Sequence, residues 1–63
     1  MRSTAYSVIN DKNISNIEKI KLLLGFKEQA ENHIIGFKRQ TMIDKHNEYI
    51  EFVDEEVEKL RNL

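Results

Sequence analysis

The side chains able to do acid–base, nucleophilic or metal chemistry are few, and their spacing does not converge. Histidine occurs twice, at His33 and His46, thirteen positions apart. A helical metal site needs ligands three or four apart on one face, and neither an H-E-x-x-H run nor a Glu-x-x-His pair occurs. Cysteine is missing from the sequence, which removes thiolate ligands, redox pairs, disulfides and thiol nucleophiles, and fits a reducing compartment. Ser3, Ser7 and Ser15 have no His or Asp at a spacing that suggests activation, and no glycine-rich phosphate loop is present. General acid–base work requires carboxylates that meet around a pocket. Here they run along what read as helical rods, which offer little concavity for a substrate. The expectation is a protein that is not an enzyme and holds no cofactor or metal.

The elements that would position these side chains are helical. Residues 42–62 give the clearest pattern: Ile43, His46, Ile50, Val53, Val57 and Leu60 alternate spacings of three and four, and Met42 and Tyr49 widen the seam. At a rise of about 1.5 Å per residue this is a rod of roughly 30 Å. His46 falls on the seam, where it reads as a packed or interface histidine with one hydrogen bond, or alternatively as a register or pH element. His33, beside Ile34, reads as a boundary residue. Upstream, Ser15-Asn16-Ile17-Glu18 has the S-x-x-E spacing of a capping box, followed by Ile17, Ile20 and Leu24 at helical spacing with Leu23 beside them.

The middle of the chain admits two drawings. Phe26, Ala30, Ile34 and Phe37 lie on a face rotated away from the Ile17–Leu24 face, to which Ile35 returns, and a segment apolar on two sides is wedged between neighbours. A break at Gly25 gives a short helix to Leu24 and a long C-terminal helix from about Phe26. A break between Gly36 and Gln40 gives a balanced hairpin. Because Phe37-Lys38-Arg39-Gln40 contains no turn residue, the first drawing is preferred. Residues 1–13 are rich in Ser, Thr and Asn. They read as a flexible or strand-like arm, with Thr4-Ala5-Tyr6-Ser7-Val8-Ile9 as the extended part, ahead of a single helical domain at 14–63. The fold class is thus all-α: a short helix plus a long C-terminal helix in a helical hairpin, assembled as a dimeric bundle with an extended N-terminal arm.

The dimer is inferred from size. Sixty-three residues allow one domain, whose core alone is marginal, and without disulfides or metals the remaining staple is oligomerisation. The seam of Ile43, His46, Tyr49, Ile50, Val53, Val57 and Leu60 is therefore expected to meet a second copy. Phe26, Phe37 and Tyr49 read as core aromatics. Phe52 projects away from the seam and, with Glu51, Glu55 and Glu56, forms the expected surface for another protein.

Charge is unevenly spread. Residues 1–45 hold eight Lys/Arg against five Asp/Glu, and residues 46–63 hold two against six, for a net −1. The acidic end is a solvated face or a face for a basic surface. Glu51 and Glu55, and Asp54 and Glu58, are like charges four apart, each pair costing about a few tenths of a kcal/mol on a helix. Lys19, Lys21, Lys27, Lys38 and Arg39 are the candidate nucleic-acid contacts. Around them, Ile20-Lys21-Leu22-Leu23-Leu24-Gly25-Phe26 followed by Lys27-Glu28-Gln29-Ala30 superficially resembles the helix-turn-helix family. It departs from the pattern at Lys21, where a small residue belongs, and at Glu31, where a buried aliphatic belongs. A strand-like arm before two helices is similar in outline to the ribbon-helix-helix family, but the arm has no basic residue for a groove. In plan and length the chain resembles plasmid copy-control proteins that bind RNA hairpins, with no shared motif.

These readings converge on a small homodimeric helical protein that binds an unidentified second protein as a regulator, inhibitor or adaptor. The alternative is a nucleic-acid-binding regulator, transcriptional or RNA-binding, that uses the Lys-rich first half. No apolar run reaches the length of a membrane span, and residues 1–6 carry no signal-peptide core, so a cytoplasmic location is expected. Usage of Ile, Lys, Asn and Glu suits an AT-rich bacterial or phage genome and the regulator of a mobile element.

Overall fold

The computed structural model describes residues 2–63, and over them the chain is all-α, with three helices: α1 Arg2–Ile9, α2 Asn16–Gly36 and α3 Gln40–Arg61. The start of α2 follows from Ser15. Its backbone is extended, its carbonyl accepts from the Lys19 amide at 2.9 Å, and its hydroxyl accepts from the Glu18 amide at 3.2 Å. That satisfies donors the first turn would otherwise leave unpaired.

Helix α2 runs through Gly25 without interruption and stops at Gly36, so the break falls at residues 37–39 and the preferred division at Gly25 is corrected. The reason is local. Phe37 and Arg39 are extended, with φ of −84° and −89°, a conformation open to any residue, and no residue among those described has positive φ. The connection needs no Gly, Pro or Asn. Phe37 ends the helix by placing its ring 4.6 Å from that of His46, while its amide bonds the Ile34 carbonyl at 3.1 Å. Helix α3 spans nearly the segment expected from its periodicity and closes with Lys59 and Arg61 in its last turn, where the helix dipole favours cations.

Gly25 sits in the interior of α2 with ordinary helical φ, and a Cβ added there meets nothing within 4 Å. Gly25→Ala is therefore expected to raise stability by about 0.5–1 kcal/mol, chiefly by reducing the freedom of the unfolded chain. Thermal unfolding followed by circular dichroism checks this; an unchanged or lower midpoint contradicts it.

The arm expected over residues 1–13 begins with Met1, which lies outside the described residues. From Arg2 to Ile9 it is helix and not strand, which corrects that expectation. No other strand exists among the described residues to accept the hydrogen bonds of Tyr6, Val8 and Ile9, whereas a helix satisfies them internally. Packing fixes it: Ala5 is fully buried, Ile9 packs on the core, and the Tyr6 ring lies 5.2 Å from Phe52. The Lys19 ammonium donates to the Ile9 carbonyl at 2.8 Å, tying the end of α1 to the start of α2. Residues 10–15 turn with the help of an Asp11 carboxylate that accepts from the Asn13 amide at 2.8 Å.

Helix α3 lies back along α2, as the Lys27–Asp54 pair and the His33 and His46 rings, 6.2 Å apart, show. The core is one cluster: Ala5 from α1, Leu23 and Ala30 from α2, and Tyr49, Val53 and Val57 from α3. Ile9, Ile20, Phe26, Ile50, Phe52 and Leu60 pack against it half-buried. The seam expected to meet a second copy is thus covered within one chain. His46, Tyr49, Val53 and Val57 are buried, and Ile43, Ile50 and Leu60 are half-buried. Within one chain α1 and α2 shelter the centre of that seam and leave Ile43, Ile50 and Leu60 partly open.

Candidate functional site

Three surface features can be built from these elements. The first is a cleft of about 210 Å³ between the helices, lined by Thr4, Phe26, Gln29, Ala30, His33 and Tyr49. Its volume is below the roughly 300–1,000 Å³ of ordinary ligand pockets. Its lining brings one imidazole and two hydroxyls beside apolar walls, and no carboxylate. Burial pushes the Tyr49 hydroxyl above its ordinary pKa, which keeps it neutral.

Next to the cleft, the two histidines meet although they are far apart in sequence. His46 is buried, its Nδ1–H donates to the Met42 carbonyl oxygen at 2.9 Å, and its ring is flanked edge-on by His33 and Phe37. This is a packed histidine with its hydrogen bond made. No group of three or more His, Asp or Glu among the described residues could hold a metal ion.

The second feature is the outer face of α3. Asp44, Glu48, Glu51, Glu55 and Glu58 are all exposed and follow spacings of four and three, with Asp44, Glu51 and Glu58 one position past the seam residues Ile43, Ile50 and Val57 and with Glu48 and Glu55 midway between seam residues. Over fourteen residues this stripe runs roughly 21 Å. The ion pairs among the described residues are Lys27–Asp54 at 2.8 Å and Lys59–Glu56 at 3.3 Å, so neither involves this stripe. Of the residues expected to face another protein, Glu51 and Glu55 belong to it. Glu56 does not, being half-buried and paired with Lys59. Phe52 is not free either, since Tyr6 covers it and the Arg2 guanidinium lies 4.9 Å over its ring. Asp44 and Glu48 were not singled out from the sequence; their heptad offset from the seam was the available signal.

The five candidate nucleic-acid contacts are not brought together. Lys19 is held by the Ile9 carbonyl and Lys27 by Asp54, whose hydrogen bond raises the Lys27 pKa. Lys21 is exposed on the outside of α2, while Lys38 and Arg39 lie in the connection at the other end of the helix, about 22 Å along its axis.

The third feature is apolar. Ile17, Leu24 and Ile35 lie on one line along α2 and are 70%, 38% and 85% exposed. Of the two apolar faces of this segment, α3 and α1 cover the one carrying Leu23, Phe26 and Ala30. The other is bare. No helix among the described residues is long and apolar enough to cross a membrane.

No family model matches the chain, and no curated protein or solved structure is significantly similar to it.

Proposed function

We propose that this protein is a non-catalytic helical homodimer that binds a basic surface of another protein, as a regulator, inhibitor or adaptor. The observation that carries this reading is the exposed stripe of Asp44, Glu48, Glu51, Glu55 and Glu58, with no ion pair to neutralise it. Like charges four apart, as in Glu51 and Glu55, cost helix stability, and a cationic partner offsets that cost on binding. The same stripe repels phosphate, and the scattered lysines give the nucleic-acid alternative no continuous footprint. The proposed surface differs from the one read in the sequence. It keeps Glu51 and Glu55, drops Phe52 and Glu56, and adds Asp44, Glu48 and Glu58.

The triple variant Glu48→Lys, Glu51→Lys, Glu55→Lys tests it. All three side chains are exposed, so the variant is expected to stay helical with its melting midpoint changed by only a few degrees. In affinity capture from the native host, a protein held by the wild type at low salt and released at high salt should be lost from the variant by about tenfold or more. Capture that is indifferent to both salt and charge reversal contradicts the reading.

A further inference from the structure

We infer that the outer face of α2 is the surface on which two copies of this chain pair, antiparallel and in one register. This rests on the homodimeric part of the reading above and assigns it to a face other than the α3 seam, which the chain covers itself. Ile17, Lys21, Leu24, Glu28, Glu31 and Ile35 alternate spacings of four and three, a helix-pairing seam about 27 Å long. All six are exposed, with Ile35 at 85% and Ile17 at 70%. Two isoleucines on a folded surface, one near each end of the helix, are costly to leave in water.

Charge selects the occupant and its direction. A parallel second copy sets Lys21 against Lys21, Glu28 against Glu28 and Glu31 against Glu31, so that every polar layer is repulsive. An antiparallel copy centred on Phe26 brings position 17 opposite 35, 21 opposite 31, and 24 opposite 28. Each Ile17 then meets Ile35 of the second copy, each Lys21 meets Glu31 of the second copy, and Leu24 packs beside Glu28 of the second copy. By the two-fold symmetry of the contact, every pair occurs twice. Apolar layers thus close both ends of the seam, with opposite charges just inside them, while Lys21 and Glu31 have no ion-pair partner within their own chain. Glu48, Glu51 and Glu55 are on α3 and take no part.

Sedimentation of the purified protein across a concentration series tests this pairing. The wild type is expected to reach a dimer. Lys21→Glu and Glu31→Lys should each weaken association about tenfold, because each places two like-charge pairs in the contact. The double variant Lys21→Glu, Glu31→Lys restores the opposite pairing and should return to within about threefold of the wild type. Ile35→Asp should abolish the dimer while leaving helix content and the melting midpoint of the monomer intact, since this side chain touches little of its own chain. A wild type that is monomeric up to about 1 mM overturns the inference, as does a dimer indifferent to the single reversals or a double variant that fails to recover. The measurement needs no second protein. The triple lysine variant of α3 should dimerise as the wild type does, so a missing partner and a wrong dimer face give different results.

Discussion

Leu23→Ala should bring the protein to the edge of unfolding at 25 °C. Leu23 and Val53 are the largest side chains fully removed from solvent, and Leu23 occupies the core cluster that joins all three helices. Truncating a buried leucine costs about 2–5 kcal/mol, more where the surroundings cannot collapse into the gap. Two members of that cluster are Ala5 and Ala30, whose methyl groups have no rotamer that could swing inward to fill the gap. At roughly 0.05–0.15 kcal/mol per residue, the entire chain has about 3–9 kcal/mol of stability to lose. The expected result is a melting midpoint lower by roughly 10–40 °C, or no cooperative transition at all. Leu22→Ala and, at concentrations too low for α2 to pair, Leu24→Ala provide the internal control. Their side chains are 36% and 38% exposed, and each change should cost about 1 kcal/mol or less. Three consecutive leucines with equal effects would place the core elsewhere.

That contrast marks where reading the sequence stops. Leu23 and Leu24 are adjacent, both suit a helix, and both fall on apolar lines; periodicity alone identifies two faces on α2 without ranking them. Which one is buried depends on α1, an element whose Ser- and Thr-rich sequence reads as an arm. Its helix exists because Ala5, Ile9 and Tyr6 find partners on α2 and α3, a tertiary effect that local propensity does not carry. The α3 rod and the Ser15 start were legible because each rests on a local rule, heptad spacing in one case and a side-chain cap in the other. The turn at residues 37–39 was not, because extended residues with ordinary φ leave no mark in residue type. The candidate surface was half legible. Glu51 and Glu55 are read directly from the sequence, but losing Phe52 to Arg2 and Tyr6 requires knowing where α1 docks.

The last prediction separates a seam buried within one chain from a seam shared between two. Val53→Asp places a carboxylate where the native side chain is fully enclosed, and desolvating an unpaired charge costs several kcal/mol, comparable with the whole stability. In the Ile35→Asp background, which removes pairing through α2 and its mass-action stabilisation, the variant is expected to be unfolded at pH 7 at every protein concentration. The carboxyl can re-enter the core only by taking up a proton, so its folded-state pKa lies above the roughly 3.9 of the unfolded chain. A raised acid pKa means that the folded state binds more protons, so helical structure should return as the pH falls toward 4 and be lost again as it rises. Ile50→Asp is the companion. Ile50 is half-buried, its replacement can turn its charge to water, and the variant should remain folded with a lowered midpoint. If α3 instead used this seam to hold a second copy, the two substitutions would be equally damaging, and raising the protein concentration would rescue both by mass action. Concentration-independent unfolding of Val53→Asp, with Ile50→Asp still cooperative, is the outcome that the internal packing of Val53 requires.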